Sequence, residues 1–218
     1  MRRTDAGSID DDNLVVAKAW WQRNGKPLVA GGVIALVAVL GWQGWQRYQN
    51  NQAQGASVLY QQLVEAALAP GGKVDTARVT DTYGKLKQDY SGTAYAQYGS
   101  LFVAKVAVEN NRLDDAAAEL KAVVDKPHDA ELGELARQRL ARVLAAEGKA
   151  EEGLKLLDGE APKAYVANRE ELRGDLLVAL KKPTEARAAY EKARAALPND
   201  AAEGVLQMKL DDLAKGDA

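Results

Sequence analysis

The segment GDLLVALKKPTEARAAYEKARAALP, residues 174–198, carries small and aromatic residues at spacings typical of two packed helices. Its landmarks are Gly174, Ala186, Tyr190, Ala193 and Pro198. Small residues let two helices approach closely, and a large ring fills the space that remains between them. Pro198 stops the second helix, because proline lacks a backbone N–H and clashes with the preceding turn. The segment therefore predicts a helix–turn–helix unit that packs against its neighbours.

Two upstream segments repeat this pattern more weakly. A shift of 33 residues toward the N-terminus places Ala141, Leu144, Gly153 and Leu157 on the landmarks, and a further 37 residues places Ala104, Ala107, Ala116 and Leu120 there. Repeats of this length and pattern are typical of tetratricopeptide units, which stack into a solenoid because one unit alone buries too little surface. This part of the chain is therefore predicted to be an all-α, TPR-like solenoid. A helical bundle without repeats is the alternative.

Divergent units are expected at both ends of the solenoid, where one face meets water. At the N-terminal end, residues 57–68 would form a first helix, and Val79, Tyr83 and Leu86 would lie on the second. At the C-terminal end, residues 204–213 would cap the last repeat with the apolar side chains of Val205, Leu206, Met208, Leu210 and Leu213.

The polar residues predict no catalytic site. Two acidic pairs, Asp114/Asp115 and Glu151/Glu152, follow polar turns and open helices, where they complement the helix dipole. The single histidine, His128, follows a proline in a polar loop, so we expect a surface residue rather than a base or a ligand. The absence of cysteine excludes disulfides and thiol chemistry. We therefore expect no enzymatic activity, no cofactor and no metal site.

The N-terminal part contains PLVAGGVIALVAVLGWQGWQ, residues 27–46, a stretch of 20 residues without a charge. About 20 apolar residues in a helix span the hydrocarbon core of a bilayer. All four tryptophans flank the stretch as interface anchors, with Trp20 and Trp21 before it and Trp42 and Trp45 at its end. The stretch therefore predicts a single transmembrane helix in a lipid bilayer. A cleaved signal peptide is the alternative, but its apolar region is shorter, about 7–15 residues.

This helix would divide the chain into a head (residues 1–26), a transmembrane helix (residues 27–46) and a body (residues 47–218). Basic residues flank it unequally: Lys18, Arg23 and Lys26 lie close before it and Arg2 and Arg3 farther out, whereas only Arg47 follows closely. The positive-inside rule keeps the more basic flank in the cytoplasm. We therefore expect a single-pass type II protein of the bacterial inner membrane, with a cytoplasmic head and a periplasmic body.

The body is close to neutral. Of the chain's 29 Lys and Arg and 31 Asp and Glu, five and four respectively lie before Arg47, which leaves 24 basic and 27 acidic residues in the body. A nucleic-acid surface requires an excess of basic residues. We therefore expect no nucleic-acid partner.

The first helix of each repeat is expected to line a concave groove. Counted from the small landmark of each unit, the groove-facing positions are Tyr98, Leu101, Lys105, Val108, Leu135, Gln138, Arg142, Ala145, Asn168, Glu171, Asp175 and Val178. This row changes from aromatic and apolar through basic to acidic, which suits an extended polypeptide. The alternative is that these side chains are only the exposed faces of helices.

The transmembrane helix has a small-residue face of its own. Gly31 and Ala35 are four residues apart, and small residues at this spacing let a second membrane helix approach closely. We expect this face to dock a partner helix. The alternative is that these residues have no partner, because glycine is common in membrane helices in general.

The stretch IDDDNLVVAKAWWQRNGKPLVAGGVIALVAVLGWQGWQRYQ, residues 9–49, resembles the start of the YfgM-like family of ancillary SecYEG translocon subunits. The features that carry the resemblance are an acidic cluster (Asp10 to Asp12), a short amphipathic helix (Leu14 to Lys18), the pair Trp20 and Trp21, and a turn at Asn24 to Lys26. The body follows the same anchored tetratricopeptide plan. The resemblance therefore covers nearly the whole chain, and it is specific in the head and generic in the repeats.

The resemblance implies a place in the bacterial inner membrane beside the SecYEG translocon. It also implies a PpiD-type periplasmic chaperone as partner, a role in helping newly exported polypeptides, and no catalytic residues. A membrane-anchored regulatory scaffold is the alternative function. In that case the solenoid would sequester a signalling protein or organise an envelope complex, and Leu14, Val15 and Trp20 of the head would form the recruiting surface.

Overall fold

The computed structural model describes residues 7–68, 75–197 and 204–216, with side chains from residue 14 up to residue 214. Regular structure in these ranges consists of nine α-helices and one 3-10 helix, Lys163–Tyr165. In chain order the α-helices are α1 (Gly7–Ala67), α2 (Thr76–Asp89), α3 (Ala94–Glu109), α4 (Leu113–Asp125), α5 (Ala130–Ala146), α6 (Ala150–Leu156), α7 (Val166–Ala179), α8 (Pro183–Ala196) and α9 (Gly204–Gly216). The predicted all-α fold is confirmed.

The chain divides into two compact units, residues 1–51 and residues 52–218. Within the first unit, α1 contains the predicted apolar stretch, with a mean hydropathy of 1.7 over 18 residues and none of those residues buried. Ile34, for example, is 69% exposed. A helix of this length and composition can cross a bilayer, and among the described residues it is the one helix that meets both conditions. The structure thus contains the long apolar helix that the sequence predicted, and it could span a membrane.

The turn expected at Asn24 to Lys26 is wrong, since α1 is helical from Gly7 to Ala67. The Asn24 side-chain amide donates to the Trp20 carbonyl oxygen at 3.1 Å, one helical turn back. Gly25 leaves room for the Trp21 ring, because a Cβ at this position would lie 3.1 Å from the ring atom Cε2. Both contacts are compatible with a helix, so asparagine and glycine do not interrupt it here.

In the second unit the helices pack in consecutive pairs, α3 with α4, α5 with α6 and α7 with α8. The first helices also contact one another, α3 with α5 and α5 with α7, which is the stacking expected of a solenoid. The landmark residues at most 3% exposed are Ala104, Ala107, Ala116, Leu120, Ala141, Leu157, Ala186, Tyr190 and Ala193. The repeat prediction is confirmed, while Pro198 lies outside the described residues.

Each of the three helix pairs is joined by a turn with one residue in the left-handed region. These residues are Asn111 (φ 56°), Gly148 (φ 80°) and Lys181 (φ 57°), which occupy equivalent positions in the three repeats. In each turn the following residue donates its N–H to a carbonyl oxygen five residues back: Arg112 to Ala107 at 2.8 Å, Lys149 to Leu144 at 2.8 Å and Lys182 to Leu177 at 2.9 Å. The turn therefore demands a positive φ, which glycine adopts without strain and lysine does not.

The N-terminal pair is formed by the last turns of α1 and by α2. Ala56, Leu63 and Ala66 of α1 form one buried cluster with Val79 and Leu86 of α2. Tyr83 belongs to the same cluster, so all three predicted second-helix landmarks are buried. The connecting PGGK sequence, residues 70–73, lies outside the described residues.

The C-terminal helix α9 packs on α8 as the expected cap, but with fewer side chains than expected. Leu206 and Leu210 are buried, and Leu213 is partly buried in the same cluster. Val205 and Met208 are instead 62% and 65% exposed. Their inclusion in the cap was wrong, because the face of α9 that carries Leu206 and Leu210 one turn apart meets the solenoid.

The left-handed turn residues lead to a prediction with opposite signs at two equivalent sites. Lys181→Gly should raise the free energy of unfolding by about 1 kcal/mol, because it removes the strain of a left-handed lysine. Gly148→Lys should lower it by about 1–2 kcal/mol for the same reason. No atom lies within 4 Å of a Cβ at Gly148, so crowding cannot account for that loss.

Urea unfolding of the full-length protein in mild detergent, followed by far-ultraviolet circular dichroism, measures both changes. Equal stability of the two variants would contradict the assignment of these turns.

Candidate functional site

A groove lies between α3, α4 and α5, on the side of the solenoid lined by first helices. Its larger part is a cavity of about 380 Å³. The apolar lining residues are Leu101, Ala104, Val108, Leu113, Leu120, Val143 and Ala146. The charged lining residues are Lys105, Glu109, Arg139 and Arg142. The groove therefore combines an apolar floor with a charged rim.

A second, smaller cavity of about 210 Å³ adjoins the first. The two cavities share Leu101, Lys105 and Arg139 as lining residues. The smaller one adds Tyr60, Tyr98, Phe102 and Leu135. We use the name groove for the two cavities together.

Three tyrosines form a cluster at the end of the groove where the smaller cavity lies. The ring centroids of Tyr60 and Tyr95 are 6.0 Å apart, those of Tyr60 and Tyr98 are 6.2 Å apart, and those of Tyr95 and Tyr98 are 6.0 Å apart. These separations lie in the range of favourable aromatic contacts. Tyr98 is 40% exposed, so the cluster presents an aromatic surface to a ligand.

Four of the residues predicted to face the groove line its larger cavity. Lys105, Val108 and Arg142 are exposed at its rim, and Leu101 lies in its floor with only 4% exposure. Lys105 donates to Glu109 at 2.5 Å, one helical turn away. Tyr98 and Leu135 line the smaller cavity. The structure thus brings together six of the eight predicted residues of the first two repeats, and Gln138 and Ala145 line neither cavity.

Arg139 also lines both cavities, and the sequence analysis missed it. The equivalent positions of the neighbouring repeats carry Phe102 and Leu172, both apolar. A charged residue at a repeat position that is otherwise apolar could have identified Arg139 from the sequence. Burial and the nearby charge of Arg142 lower the pKa of the Arg139 guanidinium.

The prediction that Gln138 faces the groove is wrong, since its side chain is buried. Its amide donates to Glu134 Oε1 at 2.8 Å and to the carbonyl oxygen of Tyr165 at 3.4 Å. Gln138 follows Glu134 by one helical turn on α5, so both point toward α7 and its preceding 3-10 helix. The position is therefore used for packing between repeats.

A buried ion pair connects the second and third repeats. Arg169 of α7 donates from Nε to Glu134 Oε1 at 2.8 Å, and its Nη2 donates to the other carboxylate oxygen. The Glu134 and Arg169 side chains are 0% and 2% exposed. Arg169 Nη1 also donates to the carbonyl oxygens of Leu157 and Gly159, at 3.3 and 2.8 Å. One guanidinium thus joins α5, the loop after α6, and α7.

The Glu134 carboxylate is held in its charged form. Burial alone would raise its pKa, but the hydrogen bonds from Arg169 and Gln138 and the charge of Arg169 outweigh burial. Arg137 adds a further bond at 2.9 Å. The pKa of Glu134 therefore lies below its ordinary 4.5. The carboxylate stays charged at neutral pH, and only acid protonates it and breaks the ion pair.

The acidic residues predicted for the third repeat are engaged by the C-terminal helix. Lys209 of α9 donates to Glu171 Oε1 and to Asp175 Oδ1, both at 2.7 Å. Tyr190 donates to the same Asp175 oxygen at 2.8 Å, and burial together with this bond raises the pKa of Tyr190. Asn168 is exposed one turn before Glu171. These three predicted residues line neither of the two cavities described above.

The other polar residues named from the sequence lie in the first turns of helices or at the surface. Asp114/Asp115 and Glu151/Glu152 lie in the first turns of α4 and α6, as predicted. His128 is exposed, and its backbone N–H donates to Gln97 Oε1 at 2.8 Å. Among the described residues, no group of three or more His, Asp or Glu side chains stands close enough together to hold a metal ion.

In the first unit the predicted docking and anchor residues are exposed. No atom lies within 4 Å of a Cβ placed at Gly31, and Ala35 is also exposed. Trp20, Trp21, Trp42 and Trp45 are between 55% and 68% exposed. These side chains are available to lipid or to a second helix, and docking at Gly31 and Ala35 stays a prediction.

Comparison with known proteins gives two consistent findings. The family model described as a tetratricopeptide repeat-like domain matches residues 18–215. A protein of Escherichia coli (strain K12) named ancillary SecYEG translocon subunit is 29% identical over 205 residues, which cover 94% of this chain and 97% of the relative. A protein of the same name from Neisseria gonorrhoeae is 32% identical over 197 residues, covering 90% and 93%. One from Haemophilus influenzae is 26% identical over 190 residues, covering 87% and 91%.

The buried ion pair leads to a stability prediction with a matched control. Arg169→Met should lower the free energy of unfolding by about 3–5 kcal/mol, because it leaves the Glu134 carboxylate buried without its cation. Lys85→Met removes the exposed pair with Asp81, whose side chains are 58% and 65% exposed, and should cost at most about 1 kcal/mol. Urea unfolding at neutral pH compares the two variants, and equal losses would contradict the importance of the buried pair.

The same pair predicts a pH dependence. Because the pKa of Glu134 is lowered in the folded state, its contribution is complete above its ordinary 4.5 and is lost as the pH falls through the folded value. Stability of the native protein should therefore change little between neutral pH and about pH 5 and should fall below it. Glu134→Gln should be less stable at neutral pH and should show a shallower decline in acid.

Proposed function

The chain belongs to the family of ancillary SecYEG translocon subunits and carries the tetratricopeptide repeat-like domain, and from this premise we propose that it is a non-catalytic accessory subunit of the Sec translocon. The observation that carries the proposal is the extent of the match, which covers 94% of this chain and 97% of the Escherichia coli relative. The apolar helix and the solenoid are therefore both shared with proteins of that name. In the proposed role the apolar helix is the membrane anchor and the solenoid is the binding domain.

The proposed location is the inner membrane, with the body on the periplasmic side. Three basic residues, Lys18, Arg23 and Lys26, precede the apolar stretch closely, and Arg47 alone follows it closely. This asymmetry supports a cytoplasmic N-terminus by the positive-inside rule. Acidic residues of the head have little weight in that rule.

The proposed partners of the body are a PpiD-type periplasmic chaperone and newly exported polypeptides. The groove supports polypeptide binding because it joins an apolar floor at Leu101 to an aromatic surface at Tyr98 and a basic rim at Arg142. The exposed small-residue face at Gly31 and Ala35 supports docking of the anchor against a membrane helix of the translocon.

Topology is tested with single cysteines, since the native chain contains none. Ala17→Cys lies in the head and Ser91→Cys in the body, and both positions are exposed. A membrane-impermeant maleimide should label Ser91→Cys in intact spheroplasts and should label Ala17→Cys only after lysis. The reverse pattern would place the body in the cytoplasm and would contradict the proposed location.

Association with the translocon is tested by affinity purification of the full-length protein from native membranes in mild detergent. SecYEG subunits and a membrane-anchored periplasmic chaperone should copurify with the wild type. Gly31→Leu combined with Ala35→Leu should reduce the SecYEG recovery, because leucine keeps a second helix at a distance. Ala30→Leu combined with Gly41→Leu places the same bulk on another face of α1 and serves as the control.

Recovery of an intact bait without translocon subunits would contradict the proposed function. Deletion of residues 1–19 distinguishes the regulatory scaffold, whose recruiting surface would include the exposed residues Leu14 and Val15. The accessory role predicts that SecYEG and the chaperone still copurify after this deletion. Loss of both would favour a function of the cytoplasmic head.

A further inference from the structure

Two arginines at the rim of the groove form no ion pair with any residue that the structure describes. Arg139 and Arg142 are three residues apart on α5, so they lie on one face of the helix, and both line the larger cavity. Lys105 is already paired with Glu109, so these two arginines leave the groove with two uncompensated positive charges.

This arrangement differs from that of other arginines in the solenoid. Arg137 and Arg169 pair with Glu134, at 2.9 Å for Arg137, and Arg173 pairs with Asp158 at 2.8 Å. Arg139 and Arg142 thus differ from these three arginines, and the one carboxylate among the groove-lining residues, that of Glu109, is paired with Lys105. Arg139 is partly buried beside a like charge, which is an unfavourable position for a cation.

A carboxylate is the ligand that would relieve this repulsion. The guanidinium group has planar donors that match the two oxygens of a carboxylate, and charge-assisted bonds of this kind are stronger than neutral ones. Two guanidinium groups facing one cavity can share such an anion. The rim therefore selects negative charge.

The remainder of the groove selects apolar groups. Leu101, Ala104 and Val143 form the floor beside the arginines, and the adjoining cavity is walled by Tyr60 and Tyr98. The tyrosine rings can pack against aliphatic and aromatic side chains of a ligand, and the tyrosine hydroxyl groups stay available for hydrogen bonds. The two chemistries are adjacent, because Leu101 and Arg139 belong to both cavities.

We propose that the groove binds an extended polypeptide segment in which an aromatic or aliphatic residue stands next to an internal Asp or Glu. The apolar side chain occupies the floor beside the tyrosine cluster, and the carboxylate lies at Arg139 and Arg142. The proposal rests on the polypeptide binding suggested above and specifies which segments are bound. The carboxylate is that of a side chain within the segment rather than of a chain terminus.

Three fluorescent peptides test this selectivity, each acetylated and amidated at its ends to remove terminal charges. Their cores are Phe-Glu-Leu-Glu-Phe, Phe-Gln-Leu-Gln-Phe and Phe-Lys-Leu-Lys-Phe, between Gly-Ser flanks. Fluorescence anisotropy measures their binding to the full-length protein in mild detergent. The acidic peptide should bind about tenfold more tightly than its Gln counterpart, and the basic peptide should bind most weakly.

Arg139→Gln combined with Arg142→Gln should abolish the preference for the acidic peptide over its Gln counterpart. Arg78→Gln combined with Lys192→Gln removes the same charge from exposed positions on α2 and α8 and should keep the preference. Arg139→Lys combined with Arg142→Lys should keep most of it, because the positive charges remain. Unfolding in urea checks that each variant is folded.

Equal binding of the three peptides by the wild type would overturn the proposal. A preference for the acidic peptide that survives in the double Gln variant would also overturn it. The same holds if the control variant loses this preference as much as the double Gln variant does. Tight binding of the Gln peptide with a free C-terminus, together with weak binding of the capped acidic peptide, would assign the carboxylate to a chain end and would overturn the proposal as well. Normal copurification of SecYEG with a protein that shows no acidic preference would refute this inference while leaving the proposed function intact.

Discussion

The bond between Glu134 and Arg169 is the interaction on which the geometry of the solenoid depends most. A tetratricopeptide array has contacts only between neighbouring units, so each junction must be stable by itself. At this junction a single guanidinium reaches α5, the loop after α6, and α7. Removing charge from either residue leaves its partner buried and uncompensated, which costs more than the loss of an ordinary apolar contact.

The groove depends on that junction through α5. Glu134 and Gln138 point from α5 toward the third repeat, whereas Arg139 and Arg142 of the same helix line the cavities on the side of α3. The orientation of α5 that satisfies the buried carboxylate therefore also determines where Arg139 and Arg142 lie. The third repeat contributes in a different way, because Lys209 neutralises its acidic residues Glu171 and Asp175. Its main effect on the groove is to hold α5 in place.

Periodicity in the sequence predicted the helices, the repeats and most landmark residues, because small residues at fixed spacing have one structural meaning. Periodicity failed where a polar residue could have either of two structural roles. Arg139 and Arg169 both occupy repeat positions that carry apolar or small residues elsewhere, such as Phe102 and Ala136. Arg139 lines the groove, whereas Arg169 is buried. The difference between them is that Arg169 has Glu134 as a partner across the junction. Gln138 was misplaced for the same reason, and Lys209 was missed because its partners are more than 30 residues away.

The distribution of aromatic residues gives the molecule two separate optical reporters. All four tryptophans lie between residues 20 and 45, in the exposed part of α1, whereas seven of the eight tyrosines lie between residues 60 and 190. Indole emission therefore reports on the polarity around the apolar helix. Three of the tyrosines belong to the cluster beside the groove, where ring contacts of about 6 Å make their near-ultraviolet dichroism sensitive to a ligand. Insertion into a bilayer and occupation of the groove are thus separable by spectroscopy on the unlabelled native chain.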